Sequence, residues 1–319
     1  MPKSVQNSMQ DAIVECVPNF SEGRDEAVVR AIVQSMCVDG VKLLDWSMDA
    51  DHNRSVVTVA GEPQAVVESA VRGVGKAAEL IDLTSQQGVH PRIGAADVVP
   101  FVPVQGVTLE QCALLARQAG AEIERRWRVP VYFYGAAASR PDRANLEDVR
   151  RGQFEQLREL VLRDHTRCPD VGGPALHPTA GATAVGARRF LVAFNIYFDT
   201  TDVSFVRTIA KKIRASSGGL PGVKAMGVLV RDQAQLSMNI TDLQAVSIEQ
   251  AYEKASEIAA QYRVAPVRTE LIGLLPASAC ERESEWMRLN IEFDPEQKVI
   301  ERRLRTPMEW PDVLVVSVS

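Results

Sequence analysis

The same order of predicted elements occurs twice in this chain of 319 residues. In the first half, predicted strands lie at 13–18, 41–46, 55–59 and 97–104, with helices at 25–38 and 63–82. In the second half, predicted strands lie at 190–198, 223–231, 235–241 and 267–275, with helices at 202–215 and 247–263. Strand, helix, two neighbouring strands, helix and strand make up a split βαβ, or ferredoxin-like, unit. In such a unit the helices cover one face of a mainly antiparallel sheet.

The sequence therefore predicts an α+β protein of two ferredoxin-like subdomains, residues 1–190 and 191–319, with facing sheets around a substrate cleft. A further helix at 108–126, a short strand at 131–134 and a helix of about 15 residues after 147 extend the first half. Segment Arg167–Gly186 is rich in Gly and Pro and has no hydrophobic period. We expect it to be irregular and to mark the junction.

Composition excludes several classes of protein. The formal charge of −5 argues against a general nucleic-acid-binding surface. No apolar run reaches the roughly 18 residues of a membrane span, and the polar start, residues 1–11, lacks a secretory h-region. Five scattered cysteines without a C-x-x-C argue against a disulfide framework and a zinc site, which favours the cytoplasm. The 28 Arg against 8 Lys reflect either genomic bias or a site for carboxylates or phosphates.

The stretch Gly88–Pro103, which we call the central loop, reads GVHPRIGAADVVPFVP and precedes a buried strand. His90 is a candidate proton carrier, because an imidazole both takes and gives a proton near neutrality. The alternative is a loop histidine that binds a backbone carbonyl. Arg92 either binds an anionic substrate or pairs with Asp97.

Two other segments carry polar residues at suggestive spacing. Segment Asp45–Arg54 (DWSMDADHNR) is either a solvated turn or a metal site, and it fails the calcium-loop pattern. The GATAVG string is not a phosphate-binding loop, because Ala187 and Arg188 stand where Lys and Ser or Thr are required. No Ser or Cys belongs to a recognised nucleophile motif, which disfavours covalent catalysis.

Several strings together resemble the glutamate formiminotransferase family. They are VECVPNFSEG (14–23), LLD (43–45), NRSVVT (53–58), GVHPRIGAADVVPFVPV (88–104), GATAVGARRFLVAFNI (181–196) and LIGLLP (271–276). In animals this transferase is fused to a cyclodeaminase, so the chain resembles a stand-alone transferase. The resemblance implies two subdomains around a tunnel, a homodimer, and transfer of the formimino group from N-formimino-L-glutamate to N5 of tetrahydrofolate. Tetrahydrofolate, with or without a polyglutamate tail, is then a co-substrate, and no metal, nucleic acid or membrane is involved.

The resemblance also implies roles for particular residues. The family's catalytic histidine falls on His90, which serves as general acid and base. The expected substrate and folate contacts are Asn53, Arg54, Arg92, Asp97, Gly172, Gly173, Pro174, His177, Pro178, Gly181 and Arg188. The chain departs from the animal pattern at His177 and Ala180, where apolar and aromatic residues are usual. It departs again at Ser47, where animal members carry an acid that Asp49 or Asp51 would have to replace.

Three alternatives stay open on sequence grounds. Formyl transfer involving N-formylglutamate or 5-formyltetrahydrofolate uses the same acceptor nitrogen and the same proton shuttle. A folate-binding protein without catalysis is a second reading, prompted by the changes at Ser47 and His177. A subunit that acts only together with a separate cyclodeaminase is the third.

Overall fold

The computed structural model describes residues 12–88, 90–230, 232–280 and 282–312. These residues form two compact units, one of residues 12–188 and 307–312 and the other of residues 189–306. The polar start and the C-terminal string VLVVSV (313–318), which is strand-like in sequence, lie outside the described residues. Within these ranges, no helix has the length and apolar character needed to cross a membrane.

The first unit is built on one mixed sheet. Its strands are β1 (Ile13–Cys16), β2 (Asn19–Phe20), β3 (Val41–Asp49), β4 (Arg54–Gly61), β5 (Ala96–Gln105), β6 (Val131–Gly135) and β7 (Thr183–Ala187). Its helices are α1 (Glu26–Ser35), α2 (Pro63–Leu80), α3 (Leu109–Trp127), α4 (Leu146–Val149) and α5 (Gln153–Leu160). Strands β1 and β2 both lie between β4 and β5, and β3 pairs with β4. The antiparallel order β3, β4, β1/β2, β5 is that of a ferredoxin-like unit.

Local sequence explains where the helices of this unit begin. The Asp25 carboxylate accepts hydrogen bonds from two backbone N–H groups in the first turn of α1. Thr108 and Gln111 form a capping box at the start of α3, and Pro63 occupies the first turn of α2. The apolar faces of these three helices join one core with one side of the sheet, which fixes the helices on that side.

Two predictions for the first unit were wrong in detail. Segment 167–186 is not irregular throughout, because β7 lies inside the sheet and runs parallel to both β5 and β6. The short, Gly-containing string TAVGA lacks the alternation by which strands are recognised. The helix expected after residue 147 is split into α4 and α5, since Gly152 and Gln153 have left-handed backbone conformations.

The second unit repeats the split βαβ order. It contains β8 (Val192–Phe198), α6 (Val203–Ile213), β9 (Val223–Val230), β10 (Gln233–Ile240), α7 (Ile248–Ala260) and β11 (Pro266–Ile272), followed by α8 (Glu285–Leu289), α9 (Pro295–Lys298) and α10 (Ile300–Arg303). The order β11, β8, β10, β9 is antiparallel throughout, and the hairpin expected at Asp232 is present. Its core is separate from that of the first unit. The predicted α+β class with two ferredoxin-like units is therefore confirmed.

The boundary between the units differs slightly from the prediction. The break falls between residues 188 and 189, whereas 190 and 191 were expected. Residues 307–312 belong to the first unit, although the prediction gave the whole tail to the second. The Met308 backbone N–H donates to the Leu43 carbonyl oxygen at 2.8 Å, which joins the tail to β3.

Candidate active site

One face of the first sheet lies opposite α1, α2 and α3, and we call it the helix-free face because these three helices pack on the other side. Val57 and Val59 of β4 belong to the apolar core beneath the helices, so the alternating residues Arg54 and Thr58 lie on the helix-free face. Asn19 of β2 is paired with Val56 of β4, which lies on the same face as Arg54 and Thr58. Accordingly, the Arg54 Nη2 group donates a hydrogen bond to the Asn19 Oδ1 atom.

The turn between β3 and β4 holds the central loop in place. Asn53 adopts a left-handed conformation (φ 48°), which asparagine tolerates better than most residues. Its Nδ2 group donates to the Gln87 carbonyl oxygen at 2.9 Å, and its carbonyl oxygen accepts from Gln86 Nε2 at 3.1 Å. Its Oδ1 atom accepts from the Gly23 N–H at 2.9 Å. Both polar atoms of the Asn53 side chain, a predicted contact residue, are thus hydrogen-bonded, and its Nδ2 group helps to position the loop.

These bonds bring His90 to the edge of the helix-free face. Its ring lies edge-on to that of His52, with 6.4 Å between centroids. The His90 Nε2 atom is buried and has no hydrogen-bond partner among the described residues. Burial lowers the pKa of His90 to about 3, and the positive charges of Arg54 and Arg150 act in the same direction. At neutral pH the ring is therefore a neutral base with an unused lone pair or N–H.

Two guanidinium groups next to His90 also carry unused hydrogen-bonding capacity. The Nε atoms of Arg54 and Arg150 are buried without a partner in the part of the chain that the structure describes. Burial lowers the pKa of Arg54 to about 10, and the charge of Arg150 adds to this effect. Two close cations with unsatisfied donors favour an anion between or beside them.

Asp97 positions Arg150 and the start of β5. It is buried, accepts from the Ile93 N–H at 2.8 Å and forms an ion pair with Arg150. Arg150 follows α4 and lies 53 residues along the chain from its partner. Sequence analysis missed Arg150, because nothing in its local sequence distinguishes it from the other arginines.

Arg92 does not pair with Asp97, which corrects that alternative. Its buried guanidinium donates to the Gln86 Oε1 atom at 2.6 Å and to the Gln86 carbonyl oxygen at 2.7 Å. Its carboxylate partner is Glu155, at 2.9 Å. These contacts tie the central loop to α5 and give Arg92 a positioning role in the structure.

Part of the segment rich in Gly and Pro (167–186), which we call the Gly/Pro-rich loop, contacts the central loop. The Ala95 N–H donates to the Ala180 carbonyl oxygen, and the Ala182 N–H donates to the Ile93 carbonyl oxygen, both at 2.9 Å. Gly181 has φ +70°, and a Cβ atom there would collide with the backbone of Ile93. This close approach requires glycine.

The other expected residues of that loop fall into two groups. The His177 Nδ1 atom accepts from the Ala180 N–H at 3.0 Å, so the ring stabilises the turn, and burial lowers its pKa. The exposed members are Gly172, Gly173, Pro174 and Pro178. Both glycines have left-handed backbones. The structure thus brings residues 177–181 against the central loop and leaves 172–174 on the surface.

Arg188 lies immediately after β7, where its N–H donates to the Phe101 carbonyl oxygen at 3.0 Å. Its side chain hydrogen-bonds Tyr134, and burial raises the pKa of that phenol to about 12. The positive charge of Arg150 acts in the opposite direction and lowers the pKa of Tyr134. Arg188 therefore belongs to the same cationic region as Arg54 and Arg150.

Segment 45–54 does not have the form of a metal site. Among the described residues, no three His, Cys, Asp or Glu side chains are grouped so as to hold a metal ion. Asp49 instead pairs with His52, and Ser47 is exposed two residues before it on β3.

The chain matches the family model described as the formiminotransferase domain, N-terminal subdomain, over residues 13–188. A second model, described as the formiminotransferase domain, matches residues 193–301. The chain therefore belongs to the formiminotransferase family, and the resemblance identified from the sequence is confirmed.

Curated relatives agree with this assignment. Over 295 residues the chain is 43% identical to a glutamate formimidoyltransferase of Streptococcus pyogenes serotype M1, a match that covers 92% of this chain and 98% of the relative. It is 42% identical to a glutamate formimidoyltransferase of Thermoplasma acidophilum, over 92% and 97% of the two chains. A formimidoyltransferase-cyclodeaminase of Rattus norvegicus is 36% identical over 91% of this chain and 59% of the relative.

Proposed function

We propose that this protein is a glutamate formimidoyltransferase that moves the formimino group from N-formimino-L-glutamate to N5 of tetrahydrofolate and releases L-glutamate. The observation that carries the proposal is the grouping of three buried atoms that have no hydrogen-bond partner among the described residues: His90 Nε2, Arg54 Nε and Arg150 Nε. The His90 atom can accept or donate a proton, and the two arginine Nε–H groups can donate hydrogen bonds to a carboxylate. The family and its 42–43% identical relatives support the same reaction.

His90 carries the proton in this mechanism. When N5 attacks the amidine carbon, the tetrahedral adduct has a cationic N5 that must lose a proton. The glutamate nitrogen must gain a proton before its bond to that carbon breaks. A neutral imidazole with a free ring nitrogen removes the first proton, and such a group contributes roughly 10²–10⁴-fold to the rate.

Arg54 and Arg150 are proposed to bind a carboxylate of the donor. Their unsatisfied Nε–H groups supply charge-assisted hydrogen bonds to the anion. The anion also offsets the two positive charges that disfavour protonation of His90. Donor binding therefore makes the imidazole a stronger base at the moment when a base is required.

The Gly/Pro-rich loop is proposed to bind the folate. Its glycines permit close approach to a flat ring, and Gly181 already packs directly on the central loop. Arg188 and the two cations near it would attract the glutamate tail of folate, with or without further glutamates. Arg92 and Asp97 would act by positioning the loop and Arg150.

A glutamate-release assay with N-formimino-L-glutamate and tetrahydrofolate tests the proposal. We expect the wild-type chain to release glutamate unaided and His90→Ala to lose about 10²-fold or more of kcat. His165→Ala is the matched control, because that histidine is exposed and outside the site. Near-normal turnover by His90→Ala refutes the catalytic role.

The same assay separates the alternatives. Turnover of N-formylglutamate in preference to the formimino donor identifies formyl transfer, which the family relatives do not favour. Folate binding without glutamate release identifies a binding protein, and activity that requires an added cyclodeaminase identifies an assembly subunit. The cytoplasmic location and homodimer are likewise proposals, and light scattering of the purified chain tests the second.

A further inference from the structure

A second imidazole lies beside His90 and is held by a carboxylate. The His52 Nδ1 atom is 2.7 Å from the Asp49 Oδ2 atom, and the His52 backbone N–H donates to Asp49 Oδ1 at 2.9 Å. Burial raises the pKa of Asp49, but the hydrogen bonds from His52 outweigh this effect and lower it. The carboxylate is therefore charged and fixes the orientation of the His52 ring.

The two rings have opposite electrostatic surroundings. His90 is partly buried beside the cations Arg54 and Arg150, which disfavour a protonated ring. His52 is about half exposed, and its ring contacts the carboxylate of Asp49. Neighbouring titratable groups whose surroundings favour opposite protonation states divide acid and base roles in enzymes.

We propose that His52 is the general acid of the transfer reaction and His90 the general base, with Asp49 as the positioning residue for His52. The proposal rests on the formimino-transfer function proposed above. The neutral His90 accepts the proton of the cationic N5. The His52 imidazolium donates a proton to the glutamate nitrogen, and the bond from that nitrogen to the tetrahedral carbon breaks as the amidine double bond reforms.

Transfer of a proton between the two rings then restores their starting protonation states. One turnover leaves His90 protonated and His52 neutral, with no net gain or loss of protons. In the edge-on arrangement, with 6.4 Å between ring centroids, a proton would pass from His90 to His52 through one bridging water. The exposed side of His52 gives the pair access to solvent, which the buried His90 Nε2 atom lacks.

Steady-state kinetics of His52→Ala, Asp49→Asn and the control His165→Ala test this division of roles. The backbone bond from residue 52 to Asp49 Oδ1 survives in His52→Ala, so the turn is expected to keep its shape. We expect kcat to fall about 10²-fold for His52→Ala and less for Asp49→Asn, with KM little changed. Because His52 is half exposed, added imidazole should restore part of the activity of His52→Ala.

The pH profile and the leaving group give readouts that a structural role would not move. The decline of wild-type kcat at high pH, where the acid loses its proton, should disappear in His52→Ala. A formimino donor built on 4-fluoroglutamate, whose amine is less basic, should lose less activity than the natural donor in this variant.

The possible outcomes separate the two proposals. If wild type and His52→Ala turn over equally while His90→Ala is inactive, the general-acid role is refuted and formimino transfer stands. Loss of activity in His52→Ala without imidazole rescue and with an unchanged pH profile also refutes the role. If the wild-type chain releases no glutamate, both proposals are refuted together.

Discussion

Replacing Asp97 by Asn should destabilise the first unit strongly, because it removes one partner of a buried ion pair. The Asp97 side chain is 3% exposed, and that of Arg150 is 14% exposed. The amide oxygen of Asn can still accept from the Ile93 N–H, so the loss is confined to the charge opposite Arg150. Breaking a buried pair by removing one partner costs about 3–5 kcal/mol. Since Arg150 keeps some contact with water, we expect a loss near the lower end, about 3 kcal/mol.

Urea unfolding at neutral pH measures this loss. Three of the four tryptophans, Trp46, Trp127 and Trp310, belong to the first unit, so fluorescence reports mainly on that unit. Asp148→Asn is the matched control, because Asp148 pairs with the largely exposed Arg151 and should cost less than about 1 kcal/mol. A cost for Asp97→Asn no larger than that of the control refutes the argument that this pair holds the site together.

Three further outcomes follow from the geometry of the site. His90 has a pKa lowered to about 3 in the folded chain. As the pH drops, the unfolded chain therefore binds a proton at this residue before the folded chain does, and the free energy of unfolding should fall between about pH 6.5 and pH 3. After allowance for the partial exposure of the ring, wild type should lose about 1 kcal/mol more than His90→Gln between pH 7 and pH 4.5 in urea unfolding, and equal losses contradict this. Gly181→Ala should cost more than about 2 kcal/mol in thermal unfolding, whereas Gly218→Ala, also left-handed but in open space, should cost about 1 kcal/mol. Arg54→Lys should raise the KM for formiminoglutamate about tenfold, since lysine cannot reproduce the Nε–H donor, while the exposed control Arg151→Lys should leave KM unchanged in the glutamate-release assay.

Much of the fold was predictable because hydrophobic period and capping residues are local properties. Asp25 and Thr108 mark helix starts, and runs of β-branched and aromatic residues identify β4 and β8. The strand β7 was missed because its residues are small and buried on both faces, which removes the alternation. The break between α4 and α5 depends on the left-handed backbones of Gly152 and Gln153 in an otherwise helical sequence.

The candidate site was predictable where its residues lie in one unusual string, as for His90 and its loop. It was not predictable where the partner is distant in sequence. Arg150 is held in the candidate site by its ion pair with Asp97. Arg92 instead contacts Gln86 and Glu155, so its guanidinium group is occupied by these partners. His52 was recognised as part of a polar segment, but its pairing with Asp49 emerges only when the turn folds.

In the proposed mechanism, the arrangement of charges links donor binding to proton transfer. The guanidinium groups of Arg54 and Arg150 that suit a carboxylate are also those that keep His90 unprotonated. Without an anion, the imidazole is a weak base, and it gains basicity once a carboxylate offsets the two cations. Because coupling between two binding equilibria is reciprocal, a proton on His90 must in turn strengthen the binding of the anion. The adduct, which holds both the anion and the proton, is therefore stabilised more than either substrate alone, and this differential stabilisation is what catalysis requires.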